Sequence, residues 1–222
     1  MNSFLHGSLN NAPHDSTLNS LNSSFNAVNS VNSVNQCSGR QVKKIGIISD
    51  THGSLTTWKT VYQNFFKSAD LILHCGDVLY HGPRNPLPVG YNPAELARDL
   101  NALTTPLVIV KGNCDAEVDQ MVLDYPMEVY FRLFLGDLRI LVQHGHAPYL
   151  PAKVEKGFNL LISGHTHLPV IKKEDGLIRL NPGSPSLPKD DEKTPTIALI
   201  EENQISLWNI ESKEKIETVV FK

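Results

Sequence analysis

Ile45-Gly46-Ile47-Ile48-Ser49-Asp50-Thr51-His52-Gly53 is the stretch on which the fold turns. A short apolar run ends abruptly in a hydroxyl, a carboxylate, an imidazole and a glycine. Such a run reads as a strand buried on both faces, the signature of a parallel sheet covered on each side. The break puts Asp50 and His52 just beyond the strand's carboxyl end. The pattern then repeats. Residues 71–73 lead into His74-Cys75-Gly76-Asp77, and residues 107–110 into Lys111-Gly112-Asn113. Between the runs, Leu55, Trp58, Val61, Tyr62, Phe65 and Phe66 recur at helical spacing over 55–68, and Pro93 can open a helix reaching Leu103. A loop over 78–92 carries prolines and glycines. This half of the chain is expected to be βαβαβ around a parallel sheet.

The second half changes texture. Residues 128–135 and 138–142 flank Gly136-Asp137, and 170–173 and 177–180 flank Asp175-Gly176; both are hairpin signals. Residues 196–200, 204–210 and 216–221 read as a closing meander, so mostly antiparallel strands are expected here. The simplest layered solution is α/β (α+β): a four-layer αββα sandwich of two mixed β-sheets flanked by helices. The expected division is a domain over 41–222 preceded by an Asn/Ser-rich disordered extension over 1–40. Scattered single apolar residues in that extension cannot offset chain entropy. It reads as a tail rather than an organelle address, because transit peptides are Arg-rich and this segment is not.

Composition removes several function classes. Hydrophobic residues at 41 % and charged residues at 19 % suffice for a core, while a net charge of -3 offers no basic footprint for sequence-specific nucleic-acid binding. Cys37, Cys75 and Cys114 are too few and scattered for a disulfide framework or a thiolate zinc site, and fit a reducing compartment, here taken as the cytoplasm. No apolar run approaches the ~18 residues of a membrane span, and the N-terminus lacks the basic start and apolar core of a secretory signal.

Five apolar runs end in groups that bind metals. Asp50 and His52 follow the first, Asp77 the second, Asn113 the third, His144 and His146 the run 140–142, and His165 and His167 the run 160–162. In open α/β sheets ligands bind beyond the carboxyl ends of strands. Any one of these residues alone reads as a satisfied polar group; the set at consecutive strand ends reads as a metal centre. Two carboxylates, a carboxamide and four or more imidazoles exceed what one ion takes, so two divalent ions are expected. Mixed nitrogen and oxygen donors suit manganese, iron, nickel, cobalt or zinc, and of these manganese is the expected ion. Paired metals are a known device for activating water against a phosphoryl group.

Together, Asp50-Thr51-His52, Gly76-Asp77, Gly112-Asn113-Cys114-Asp115, His144-Gly145-His146 and Gly164-His165-Thr166-His167 resemble the successive motifs of the calcineurin-like metallophosphoesterases. The phrases His81-Gly82-Pro83-Arg84-Asn85, Glu117-Val118-Asp119-Gln120-Met121, His167-Leu168-Pro169-Val170 and Asn181-Pro182-Gly183-Ser184 are similar to the YfcE-type phosphodiesterase branch. The resemblance runs from about residue 43 onward and implies the αββα fold. It also implies that Asp50, His52, Asp77 and His167 hold one metal, and Asp77, Asn113, His144 and His165 the other, with Asp77 bridging. A hydroxide activated by both metals would attack phosphorus in line with the leaving oxygen, making Asp77, Asn113 and His144 the expected catalytic residues. His81, Arg84, Cys114 and His146 are the expected substrate contacts. Arg84 suits phosphate oxygens, although Gly82-Pro83 reads equally as a structural turn. His146 either lines the pocket or bonds behind a ligand.

One position departs from the superfamily. Most members carry His where Cys114 stands, and that His is thought to protonate the leaving alkoxide. A thiol is a poor substitute acid near neutral pH. The YfcE-type branch shares the Cys, which favours diesters or good leaving groups. The expected function is therefore a metal-dependent phosphodiesterase acting on a small phosphodiester, with a homo-oligomer allowed. The alternatives are a phosphomonoesterase or nucleotide hydrolase on the same site, and a protein-interaction scaffold like the retromer subunits of the Vps29 type.

Overall fold

The structure, a computed structural model, describes residues 42–146 and 157–221. The run that opened the sequence forms β1 (Lys44–Ile48), with every residue after Lys44 buried. It pairs in parallel with β2 (Leu71–His74), which pairs in parallel with β3 (Leu107–Val110). The intervening helices are α1 (Leu55–Val61) and α2 (Pro93–Asn101). Ser54 caps α1 by accepting from the Thr57 N–H, Asn92 caps α2 by accepting from the Glu95 N–H, and Pro93 occupies the first turn of α2, where no amide donor is needed. The helix expected over 55–68 stays α-helical only to Val61. It finishes as a wider turn over Tyr62–Phe66, closed by the Lys67 N–H on the Tyr62 carbonyl.

The strand expected over 128–135 divides at Val129. Met127–Glu128 (β4) pairs in parallel with β3, whereas Tyr130–Leu135 (β5) pairs antiparallel with β6 (Leu138–Gln143) in the other sheet. Local alternation is continuous across the break, so only the identity of the partner strand separates the two halves. The second sheet runs β5-β6-β7-β9-β8, with β7 Leu160–Ile162, β8 Pro169–Glu174 and β9 Leu177–Pro182. Its middle is parallel rather than antiparallel as expected: β6 pairs with β7 and β7 with β9. The β8–β9 hairpin folds with β8 outermost, which returns β9 alongside β7. The closing meander, β10 (Thr196–Glu201), β11 (Gln204–Asn209) and β12 (Lys215–Val220), joins the first sheet antiparallel to β1. That sheet is therefore mixed, in the order β12-β11-β10-β1-β2-β3-β4.

Alternation along each strand sorts side chains into two layers. Ile45, Ile47, Leu71, Leu73 and Val110 meet Ile140, Val142, Ile162 and Leu180 between the sheets. The other face of the first sheet, Ile48, Ile72, Ile109, Ile197 and Leu199, packs on Trp58, Val61, Phe66, Leu96 and Leu100 of the helical layer. The described residues thus supply α, β and β layers of the expected sandwich. The expected 1–40 extension lies outside the described residues. No helix among the described residues is long and apolar enough to cross a membrane.

Sheet-on-sheet burial carries the stability, with each fully buried Ile or Leu contributing roughly 1.5–3 kcal/mol. Ile140 is 0 % exposed in the inter-sheet layer. Ile140→Ala is expected to cost about 2–5 kcal/mol of unfolding free energy, read as a lowered urea midpoint. An unmoved midpoint would refute the placement of the core.

Candidate metal centre

The β1–β2 ladder does not stop where the strands end. The Cys75 N–H reaches the Ile48 carbonyl, Asp50 N–H the Gly76 carbonyl, His52 N–H the Asp77 carbonyl and Gly53 N–H the Val78 carbonyl, at 2.8–3.0 Å. Two ligand-bearing loops are thereby zipped side by side. In the second sheet the Gly164 N–H on the His144 carbonyl joins the two histidine loops in the same way. The sheets meet at Asp50: its Oδ2 accepts from the Ser49 hydroxyl at 2.5 Å and the His165 N–H at 3.0 Å. Its own carbonyl accepts from Ser184 and Ser186 hydroxyls at 2.8 and 2.9 Å.

Three imidazoles are fixed by their rear nitrogens. His52 Nδ1 lies 2.8 Å from the Tyr80 carbonyl, His144 Nδ1 2.7 Å from the Cys75 carbonyl and His167 Nδ1 2.5 Å from the Leu187 carbonyl. A carbonyl only accepts, so each Nδ1 donates; neutral His52 and His167 turn an Nε2 lone pair toward the centre, and His144 does so once its Nε2 proton is given up. These Nε2 atoms converge on carboxylates. Asp50 Oδ1 lies 3.3 Å from His167 Nε2 and 3.7 Å from His52 Nε2; the two Nε2 atoms are 3.2 Å apart. Asp77 Oδ2 lies 3.4 Å from His144 Nε2 and 3.8 Å from His52 Nε2. Asp50 Oδ1 is buried and accepts no hydrogen bond among the described residues. Acceptors facing acceptors in a dry pocket are satisfied by cations, and donors bound to one ion at 2.0–2.2 Å sit about 3–3.5 Å apart. The donor set therefore fits divalent metal.

Asp50, His52 and His167 form one group of donors and Asp50, Asp77 and His144 another, each mutually within 4.8 Å. Asp77 reaches both sides, as bridging requires, and Asp50 does too. Asn113 joins the second group, its Oδ1 3.2 Å from His144 Nε2. His165 stands outside both. Its half-buried ring lies edge-on to His144 at 5.2 Å, with His146 at 6.1 Å. Cys114 belongs to a third group with His52 and Asp77. His81 is held between the rings of Tyr80 and Tyr91, and Arg84 is exposed on its loop. Neither enters a donor group.

The backbone is strained here. Asp50, His52, Asp77, His165 and His167 all have φ between 48° and 70°, the left-handed region, at roughly 1–3 kcal/mol each. Two glycines are required by crowding. A Cβ on Gly112 would strike the Asp77 carboxylate, and one on Gly164 the Ser49 hydroxyl. Asp115, which sequence reasoning left without a role, clamps the loops. Its carboxylate accepts from the N–H groups of Asp77, Val78 and Gly112 at 2.7–2.8 Å. Its only sequence signal is its place after Gly112-Asn113-Cys114. Asn181, which holds the Gly164 carbonyl at 2.8 Å, sits in the Asn181-Pro182-Gly183-Ser184 phrase. Ser186, over 130 residues from the Asp50 it supports, had no signal. His74 is structural, with Nε2 2.9 Å from the Thr51 hydroxyl and burial pushing its pKa down to about 3.

Burial pushes the Asp50 carboxyl up to about 7. Burial would also raise Asp77, but the hydrogen bond and charge of His144, with the Cys114 N–H, hold it well below the usual range. For His144, burial acts to lower the pKa, yet Asp77 and Asp50 outweigh it and push the ring up to about 9. Burial lowers His52, His165 and His167, the last to about 4. The metal-free centre thus stores a proton on His144 against its two carboxylates.

The profile of the calcineurin-like phosphoesterase superfamily domain matches residues 44–204. The chain belongs to this superfamily. The phosphoesterase is 42 % identical over 151 residues to Phosphodiesterase YfcE of Escherichia coli K12, covering 66 % of this chain and 81 % of the relative. It superposes on the E. coli YfcE phosphoesterase structure with a TM-score of 0.74 at 36 % identity, covering 81 % of this chain and all of that one. Vps29 of Entamoeba histolytica in complex with zinc shares the fold at 19 % identity and a TM-score of 0.55, over 81 % of this chain and 99 % of that one. The phosphoesterase is a hydrolase of phosphate esters that uses divalent metal.

The proton on His144 has a measurable consequence. A His raised from 6.5 to about 9 on folding contributes stability that is complete below its unfolded pKa and lost as pH rises through about 9; Asp50, raised to about 7, acts with the same sign. The metal-free protein is expected to lose stability between about pH 7 and pH 9.5, with a weaker loss in His144→Gln. Metal uptake must expel the same proton. Calorimetry in buffers of different ionisation enthalpy should show proton release at about pH 7 that shrinks by about pH 9.5; equal release at both would refute the assignment.

Proposed function

We propose that this chain is a phosphodiesterase of small phosphodiesters, with its catalytic unit over 41–222, working with two divalent ions of which manganese is the preferred one. The observation that carries the reading is the convergence of three carbonyl-fixed imidazoles on two shared, buried carboxylates. Asp50, His52, Asp77 and His167 would hold one ion, and Asp77, Asn113, His144 and His165 the other. His165 is assigned by its ring beside His144. Bound divalent ions supply Lewis acidity, which acidifies water and neutralises charge on phosphoryl oxygens. The chain's own groups do the positioning. The His165 N–H orients Asp50, the Cys114 N–H orients Asp77 at 2.8 Å, and Asp115 keeps the two loops in register. Mixed nitrogen and oxygen donors accept manganese, iron, nickel, cobalt or zinc, and manganese is the ion proposed here.

Cys114 supports the choice of diester over monoester. Burial and the Asp77 charge push its thiol up to about 12, so it stays protonated and is a feeble acid. A leaving group must then depart with little protonic help, which suits ester groups of low pKa. The similarity to the YfcE phosphodiesterase points the same way. His146 and His81 would border the bound phosphate, while Arg84 would meet only a substrate long enough to reach the loop. Two free thiols among the described residues, one at the metal centre, suit a reducing compartment, the cytoplasm.

Hydrolysis of bis-p-nitrophenyl phosphate with added manganese is expected to fall at least about 10²–10³-fold in Asp77→Ala. Equal rates in wild type and variant would sink the mechanism. Cys114→His, which restores an imidazole acid beside the centre, is expected to raise activity on phenyl phosphate by roughly tenfold or more. An unchanged rate would remove position 114 from the chemistry.

A further inference from the structure

The segment after β9 is stitched to the ligand loops of both sheets. The Ser184 hydroxyl bonds the Asp50 carbonyl, and the Ser186 hydroxyl bonds the carbonyls of Asp50 and Thr51, at 2.8–2.9 Å. The segment then closes around His167. The Leu187 carbonyl accepts from the ring Nδ1–H, and the Lys189 N–H returns to the His167 carbonyl at 3.3 Å. Position 189 is thereby fixed beside the residue whose ring faces Asp50.

Lys189 is exposed, and no ion pair engages its ammonium among the described residues. The acid next to it in sequence is spent elsewhere: the Asp190 carboxylate accepts from the Thr194 N–H at 2.9 and 3.1 Å and feels the charge of Lys193. The charge of Lys189 is felt instead across the metal centre. Burial is the main cause that lowers the pKa of His52, His165 and His167, and the Lys189 ammonium is a further cause for all three. His52 follows β1 of the first sheet, while His165 and His167 follow β7 of the second. A charge that reaches all three rings stands where the two ligand loops meet.

An unpaired cation at that place works against the metals, because like charges repel. An anion lying between them reverses the sign. The anion this centre receives is a phosphoryl group, and an ammonium on a flexible stem binds phosphate oxygens as a point charge.

Resting on the phosphodiesterase reading, we propose that Lys189 is a substrate-binding residue whose ammonium holds a non-bridging phosphoryl oxygen on the His167 side of the centre. Occupancy by phosphate and occupancy by metal are then coupled. The phosphoryl group screens the ions from Lys189, and the ions and Lys189 together hold the phosphoryl group.

The test uses the full chain carrying Lys189→Gln or Lys189→Arg, both at an exposed position. With manganese present and bis-p-nitrophenyl phosphate as substrate, Lys189→Gln is expected to raise KM at least about tenfold, while Lys189→Arg stays within about threefold of wild type. Calorimetry with inorganic phosphate on the manganese-loaded proteins should give the same order, with binding about tenfold weaker in Lys189→Gln. In phosphate-free buffer, manganese should bind Lys189→Gln at least as tightly as wild type, because a repelling charge is gone. A lysine that only propped up His167 would instead weaken manganese binding when replaced. Unchanged KM or unchanged phosphate affinity in Lys189→Gln would overturn the proposal, and so would manganese binding that weakens together with phosphate binding. If the wild-type protein does not hydrolyse the diester, the phosphodiesterase reading falls, and phosphate affinity alone then decides for or against Lys189.

Discussion

Two carboxylates, Asp50 and Asp77, are buried together at the ends of adjacent parallel strands, 0 % and 2 % exposed. Burying one ionised carboxylate is costly, and burying two against each other more so. The surroundings divide that cost. Each carboxylate spends one oxygen on neutral donors, the Ser49 hydroxyl and His165 N–H for Asp50, and the Cys114 N–H for Asp77. The other oxygen of each is left to the imidazoles. Without metal, the proton on His144 offsets part of the charge; with metal, the ions replace it. Loop conformation, tautomers and proton affinities all follow from this requirement.

Meeting it demands unusual backbone. Five of the seven expected ligands adopt left-handed dihedrals, which persist only where the surroundings over-determine them. The extended β1–β2 ladder, the three-amide clamp of Asp115 and the serines under Asp50 provide that over-determination. The sandwich core beneath them holds the strand ends at fixed spacing, so packing and chemistry are coupled through backbone rather than through side-chain contact.

The same crowding shapes the surface around the centre. The loop after Asp77 turns back through Tyr80 and His81 to lay Tyr91 against Gly53, so aromatic rings back the turn that carries His52. A thiol at position 114, held protonated, removes an acid from the other border.

Much of this was legible in the chain itself. Short apolar runs broken by Asp, His and Asn marked the first-sheet strands and their ligands, because a doubly buried strand must be apolar and a site at its end must not be. The motif spacing marked Asp50, His52, Asp77, Asn113, His144, His165 and His167 as one constellation, of which His165 alone stands outside the donor groups. Elsewhere local pattern had no say. The continuous alternation over 127–135 could not reveal that Met127–Glu128 and Tyr130–Leu135 belong to different sheets, since strand partners are chosen by contacts distant in sequence. Likewise Asp115, Ser186 and the carbonyls of Tyr80, Cys75 and Leu187 carry no local signal of their roles. The sequence by itself determined which side chains could bind metal and which strands could be buried. Only the tertiary structure decided which nitrogen of each imidazole faces the centre, which strands share a sheet and which loop supports which ligand, because those depend on backbone groups that every residue possesses and only the fold brings into reach.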